Sequence, residues 1–94
     1  MYLSSYTFTG DTADLTARFD RMIAGFRDEI IFQVTVVTDD SLVVYDGCPD
    51  KETAEAFSSS PEWAAALAQV GLPTPAVGRL GEVHFALARQ SVPV

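Results

Sequence analysis

The apolar residues of this 94-residue chain recur at two spacings, and the order of those spacings constrains the fold more than any single residue. Alternation of apolar and polar residues is typical of strands, whereas apolar residues three and four positions apart are typical of helices. The segments follow in the order strand, helix, strand, strand, helix, strand. They occupy nearly the whole chain and leave no room for a second domain, so we expect a single domain over residues 1–94.

The pattern places each element within the chain. Strands are predicted over Tyr2–Thr9, Glu29–Thr38, Ser41–Asp46 and Ala76–Ala88, and helices over about four turns from Thr12 and over Lys51–Val70. Pro61 either kinks the second helix or makes it restart. The order βαββαβ is the split-βαβ, or ferredoxin-like, arrangement. We therefore expect an α+β fold in which two helices cover one face of a four-stranded antiparallel sheet.

The two faces of this sheet are expected to differ. The face beneath the helices is predicted to carry Tyr6, Phe8, Phe32, Val34, Val36, Val83, Phe85 and Leu87. The second face is predicted to carry Ser5, Thr7, Gln33, Thr35, Val37, Glu82, His84 and Ala86. Leu3 and Ile31 also fall on the second face, and a fully solvated face seldom carries so many large apolar residues. This favours a homodimer through that face; an ordinary wet face is the alternative.

The charge balance excludes several classes of partner. Thirteen acidic residues stand against six basic ones, and the net charge of −7 is dispersed along the chain. Such a field repels nucleic-acid phosphates and anionic membrane surfaces. No apolar run approaches the ~20 residues that span a bilayer, and the N-terminal segment lacks the pattern of a signal peptide. We expect a cytoplasmic protein with no nucleic-acid or membrane partner.

His84 and Tyr45 are the candidate catalytic residues. His84 is the only histidine, so it is a candidate acid or base near neutral pH, and Glu82 two residues away could orient it. Its alternative is a partly exposed strand residue without chemistry. Tyr45 could supply a hydroxyl to an aromatic pocket.

Tyr6, Trp63 and Arg79 are the candidate substrate-binding residues. The two aromatic side chains could line a ligand pocket, or they could simply pack in the core. Arg79 lies among glycines and could bind an anionic group, or it could be solvated. Cys48 is the only cysteine, so it makes no disulfide within the chain and no metal cluster, and nearby acids oppose thiolate formation.

The βαββαβ order, the break Ser59-Ser60-Pro61-Glu62-Trp63 and the acidic character resemble the dimeric α/β-barrel superfamily. Within it, the chain is similar to the antibiotic-biosynthesis-monooxygenase-like domains. The resemblance implies that two protomers pack their sheets face to face and that each keeps a cavity between helices and sheet. It also implies cofactor-independent chemistry, so no cofactor is expected. Haem-degrading members carry an Asn on the first strand and a His in the second helical region, and this chain has neither.

Two functions follow from the residues and the resemblance. The first is a cofactor-independent monooxygenase or isomerase that acts on an aromatic or polyketide-like small molecule. The second is a non-catalytic dimer that binds a small apolar ligand or serves as an accessory module. The lack of a complete acid–base or nucleophile constellation favours the second, and the aromatic, hydroxyl-rich candidate set favours the first.

Overall fold

One antiparallel sheet carries three helices in the computed structural model, which describes residues 1–89. The elements are β1 (Tyr2–Thr9), α1 (Thr12–Ile23), β2 (Phe32–Val37), β3 (Ser41–Cys48), α2 (Lys51–Ser58), α3 (Pro61–Val70) and β4 (Ala76–Glu82), with a 3-10 turn at Arg27–Glu29. The strand order is β2-β3-β1-β4, and all pairs are antiparallel. This confirms the predicted α+β ferredoxin-like fold. Residues 90–94, which the predicted domain included, lie outside the described residues.

The first helix forms as its sequence predicts. The Asp11 carboxylate caps it by accepting a hydrogen bond from the Asp14 amide at 3.0 Å, which satisfies one of the free donors of the first turn. Leu15, Phe19 and Met22 follow at helical spacing and are buried against the sheet. The helix ends at Ile23, earlier than predicted.

The second helical region restarts at Pro61 rather than bending there. The Ser60 hydroxyl accepts a hydrogen bond from the Trp63 amide at 3.2 Å, and Pro61 takes the first helical position, where no amide donor is needed. Gly71 ends α3 in the left-handed conformation, with φ of 78°. One main core lies between the three helices and the sheet. Its buried residues are Tyr6, Phe8, Leu15, Phe19, Met22, Leu42, Val44, Trp63, Leu67 and Leu72.

The pairing of β2 shows that the predicted face assignment of this strand is wrong. Thr35 lies opposite Val44, and Val44 lies opposite Tyr6, so Thr35 shares the helix side of the sheet with the core residues. Because β2 carries apolar side chains on both faces, its alternation separates the two faces without saying which one meets the helices. Gln33, Thr35 and Val37 therefore lie on the helix side, and Phe32, Val34 and Val36 lie on the opposite side.

The last strand is shorter than predicted. It ends at Glu82, so Val83, Phe85 and Leu87 are not core residues, and Phe85 and Leu87 are 77% and 65% exposed. The reason is that its pairing partner β1 begins at Tyr2, directly opposite Glu82, which leaves no strand for later residues to pair with. The predicted irregularity is present: Ser4 pairs with Arg79 and Leu3 with Gly81, so Leu80 is the extra residue of a bulge.

The sheet side away from the helices is more apolar than predicted. We call this side the outer face; its large members are Leu3, Phe32, Val34, Val36, Val43 and Tyr45. Val34 and Val36 are 45% and 41% exposed. Within residues 1–89, no helix combines the length and the apolar character that crossing a membrane requires.

Replacing Gly71 by Ala should lower the free energy of unfolding by about 1–2 kcal/mol, because a Cβ is unfavourable in the left-handed conformation. The new methyl would also displace the Arg18 guanidinium, which donates to the Val70 carbonyl at 2.7 Å. Gly25→Ala is the matched control, since its φ is not in the left-handed range and its Cβ meets only Met22 O at 3.6 Å. Urea unfolding at one fixed protein concentration measures both. Equal losses from the two variants would contradict the expectation.

Candidate functional site

A cavity of about 230 Å³ lies between the helices and the helix side of the sheet. Its walls come from β1, β2 and β3, from α1, α2 and α3, and from the connection between α1 and β2. Most of the lining is apolar. The six aromatic lining residues are Tyr6, Phe8, Phe19, Phe26, Phe57 and Trp63.

Three aromatic pairs form one wall of the cavity. The rings of Tyr6 and Trp63 lie 5.5 Å apart between centroids, and Trp63 and Phe57 lie 4.8 Å apart, both in tilted arrangements. Phe26 meets Phe57 edge-on at 6.4 Å. Such pairs hold each other in place by their quadrupoles as well as by burial. The structure thus brings together two of the predicted binding residues, Tyr6 and Trp63, on a preformed aromatic surface.

The polar end of the cavity is built on β3. Asp46 and Cys48 both point to the helix side, and the Cys48 thiol donates a hydrogen bond to Asp46 Oδ2 at 3.6 Å. Gln33 lies opposite Asp46 on β2 and also lines the cavity. Burial raises the pKa of the Asp46 carboxyl, and the neighbouring Cys48 and Gln33 offset this only in part. Asp46 is therefore a stronger base than an exposed aspartate.

Cys48 is not an activated thiol. Burial and the adjacent Asp46 raise its pKa to about 11. The thiol therefore remains protonated at neutral pH, and its role in the cavity is that of a hydrogen-bond donor. This agrees with the expectation that nearby acids oppose thiolate formation at Cys48.

The Tyr6 hydroxyl is the other polar group of this end. Tyr6 is only 2% exposed, and its hydroxyl oxygen is buried without a hydrogen-bond partner among residues 1–89. Burial raises the pKa of Tyr6, and the Arg79 guanidinium, which faces the hydroxyl oxygen without reaching hydrogen-bond geometry, offsets this in part. Because a guanidinium only donates, the O–H of Tyr6 stays free to donate to another group. Leaving a buried hydroxyl unpaired costs about 1–3 kcal/mol. A ligand atom that bonds to Tyr6 would recover this energy.

Arg79 does not line the cavity. Its guanidinium donates to the Ser4 hydroxyl at 2.7 Å, to the Ala54 carbonyl at 3.3 Å and to the Ser58 hydroxyl. These bonds tie β4 and β1 to α2. Arg79 was expected to hold an anionic ligand group. In the structure its donors join elements of the fold instead.

His84 and Tyr45 are not brought to the cavity. His84 is exposed beyond the end of β4, beside an open groove that Leu3 and Leu80 also line. Tyr45 lies on the outer face, opposite Ser5 and Val34. The two predicted catalytic residues thus lie away from Tyr6 and Trp63.

Among the cavity residues that the sequence prediction missed as site residues, Asp46 and Gln33 are the polar pair on β3 and β2. A signal for Asp46 was present, because the alternation along β3 places it on the same side as Leu42 and Val44, where it is half-buried. An acid in such a series is a candidate functional group. Gln33 could not be identified in this way, since β2 was assigned to the wrong face. Across the part of the chain that the structure describes, no cluster of three or more His, Cys, Asp or Glu side chains could hold a metal ion.

No protein-family model matches this chain, and no curated protein matches it either.

Solved structures do match it over almost its whole length. A candidate antibiotic biosynthesis monooxygenase from Deinococcus radiodurans aligns with 97% of this chain and 100% of its own, with a TM-score of 0.61 and 9% identity. SnoaB, a cofactor-independent oxygenase from Streptomyces nogalater, aligns with 99% of this chain and 95% of its own, with a TM-score of 0.58 and 19% identity. A point mutant of SnoaB gives the same values. The chain therefore has the ferredoxin-like fold of the antibiotic-biosynthesis-monooxygenase-like proteins.

Proposed function

We propose that this protein binds a small, flat aromatic molecule in its cavity and oxidises it with molecular oxygen, without a cofactor. The observation that carries the proposal is the aromatic-walled cavity of about 230 Å³ in a fold shared with a cofactor-independent oxygenase. An apolar cavity of about 150 Å³ binds benzene. The larger volume here gives room for about two fused rings.

The cavity suits a reaction of this class. In such a reaction a methylene group next to a carbonyl or aromatic ring becomes a carbonyl, one oxygen atom of O₂ enters the product, and the other leaves with the two hydrogens as water. The substrate itself supplies the electrons once it has lost a proton. An apolar enclosure keeps bulk water away from the reactive carbanion or enolate. Tyr6 and Trp63 are placed to hold the ring system.

A non-catalytic ligand-binding module is the second candidate. It is favoured by the positions of His84 and Tyr45, which leave the cavity without the predicted acid–base residues. An isomerase would use the same cavity without consuming oxygen. Oxygen uptake therefore separates the proposed oxidation from both alternatives.

We also propose that the protein is a homodimer through the outer face. That face exposes Val34 and Val36 beside further apolar side chains, and a contiguous apolar patch on a small protein marks an interaction surface. A domain of this size buries only about 60–65% of its unfolded surface, so it gains stability from association. Because the outer face is the back of the sheet that floors the cavity, the dimer would leave the cavity accessible.

The protein should consume one molecule of O₂ per molecule of product when supplied with 2-indanone or 2-tetralone, which have two fused rings and a methylene group between a ring and a carbonyl, and a chelator should not inhibit it. Trp63→Phe keeps an aromatic core residue but removes part of the cavity wall. It should lower kcat/KM by about two- to tenfold, the size of an aromatic contact. Phe85→Leu, an exposed change outside the cavity, is the control and should leave kcat/KM unchanged. Oxygen-electrode rates equal to the protein-free background for both compounds would contradict the proposed oxidation.

Val36→Lys should convert the proposed dimer to a monomer, because it places a charge among the apolar side chains of the outer face, opposite Val43. Thr35→Lys is the matched control: the neighbouring residue points to the helix side, where it is exposed, and the dimer should persist. Native mass spectrometry and light scattering of both variants measure the outcome. A monomeric wild-type protein, or a Val36→Lys variant that is still dimeric, would contradict the proposed interface.

A further inference from the structure

We propose that Asp46 is the proton acceptor of the cavity and that its ligand carries a weakly acidic hydroxyl, a phenol or an enol, on a flat apolar body. The inference rests on the proposed function, since it concerns the same cavity. It goes further by naming the group that takes the proton and the chemical class that supplies it.

The position of Asp46 is the first support. It lies half-buried on a central strand, between the buried Val44 and Cys48 on the same side of the sheet, and Cys48 donates a hydrogen bond to its carboxylate. Among the described residues, no ion pair is made by Asp46, and the donors of the nearby Arg79 are used by Ser4, Ala54 and Ser58. A carboxylate in an apolar cavity without a paired cation is costly to the fold. Such a carboxylate is suited to accept a proton from a ligand.

The Tyr6 hydroxyl is the second, independent support. Tyr6 lies opposite Val44, two positions from Asp46 on the same side of the sheet, and such diagonal neighbours lie within reach of long side chains. Its buried hydroxyl has no partner in the part of the chain that the structure describes. The polar end of the cavity thus offers an acceptor on Asp46 and an unused donor on Tyr6.

This pair of groups selects the ligand chemistry. A hydroxyl can donate to Asp46 and accept from Tyr6 through the same oxygen atom. A carbonyl or an ether can accept from Tyr6 but has nothing to donate to Asp46. An ammonium group can donate to Asp46 but cannot accept from Tyr6. Any hydroxyl satisfies both protein groups in this way. Among hydroxyls, a phenol or an enol is the class that is acidic enough to give its proton to a carboxylate, because its conjugate base is delocalised.

The proton transfer balances without another reactant. The ligand O–H bond breaks, the proton goes to a carboxylate oxygen of Asp46, and the electron pair stays on the ligand as a phenolate or enolate. The Tyr6 hydroxyl donates to that oxygen as its charge increases. The electron-rich enolate carbon then reacts with the O₂ of the proposed function. The ionisable groups that line or border this end of the cavity are Tyr6, Glu29, Cys48, Asp50 and Arg79.

Binding of naphthalene, 2-naphthol and 2-methoxynaphthalene tests the inference apart from turnover. At pH 7 the wild-type protein should bind 2-naphthol about tenfold or more tightly than naphthalene, as expected for a hydrogen bond to a charged group. The methyl ether, which cannot donate, should bind no better than naphthalene. In Asp46→Asn the preference for 2-naphthol should fall to about twofold or less, while naphthalene binding stays unchanged. Asp20→Asn, the same change at an exposed site on α1, should behave as wild type.

The pH dependence gives a second measurement. The preference for 2-naphthol should rise as the pH increases through the pKa of Asp46, because only the carboxylate accepts the hydroxyl proton, and Asp46→Asn should show no such rise. The reaction of Cys48 with iodoacetamide reports on the folded site. The thiol pKa of about 11 should fall in Asp46→Asn, since the adjacent negative charge is gone.

The outcomes separate the two proposals. If both proteins bind naphthalene but the wild type shows no preference for 2-naphthol, or Asp46→Asn keeps the preference, the role of Asp46 is overturned and the proposed cavity function stands. If the wild type binds none of the three compounds, both are overturned. If Asp46→Asn does not fold, Tyr6→Phe decides, because it removes the hydroxyl donor and should weaken 2-naphthol binding but not naphthalene binding.

Discussion

The pairing of β3 with its two neighbours is the constraint on which the rest of the molecule depends. β3 lies between β1 and β2, so its register decides which side chains of three strands share a face. With Val44 between Tyr6 and Thr35, the core, the cavity and Asp46 come to lie on the helix side. A slip of one residue would move Asp46 to the outer face and place Tyr45 in the core. The site is thus a consequence of strand register, and the helices only enclose it.

The same register gives the two faces of the sheet different side chains. On the helix side, aromatic residues from the sheet and from α3 enclose a space that the main core does not fill. On the outer face, Val34 and Val36 leave apolar area exposed. Larger side chains in this space would stabilise each chain, but they would remove the cavity. The proposed association through the outer face would bury apolar surface instead and would leave the cavity in place.

The sequence correctly predicted the features that depend on residues nearby in the chain. Its predictions were wrong for features that depend on pairing with a neighbouring strand. The capped start of α1, the restart at Pro61 and the stop at Gly71 depend on residues within a few positions, so they can be predicted from the chain alone. The orientation of β2 depends on its pairing with β3, because its two faces are almost equally apolar. The end of β4 depends on where β1 begins. His84 follows the end of β4 and is exposed there, away from the cavity.

The candidate site illustrates how such errors propagate from fold to function. A residue with useful chemistry, such as a lone histidine, is easy to identify in a sequence. Whether it can belong to a site depends on the face of the sheet on which its side chain lies. Acids are common in this chain, so composition does not distinguish Asp46, although it follows Leu42 and Val44 on the same side of β3 and is half-buried there. A polar group in such a position reduces stability unless it acquires a partner. Among residues 1–89 the buried hydroxyl of Tyr6, on the same side of the sheet, has no partner either, so one ligand oxygen bound by both groups, as proposed above, would relieve both costs.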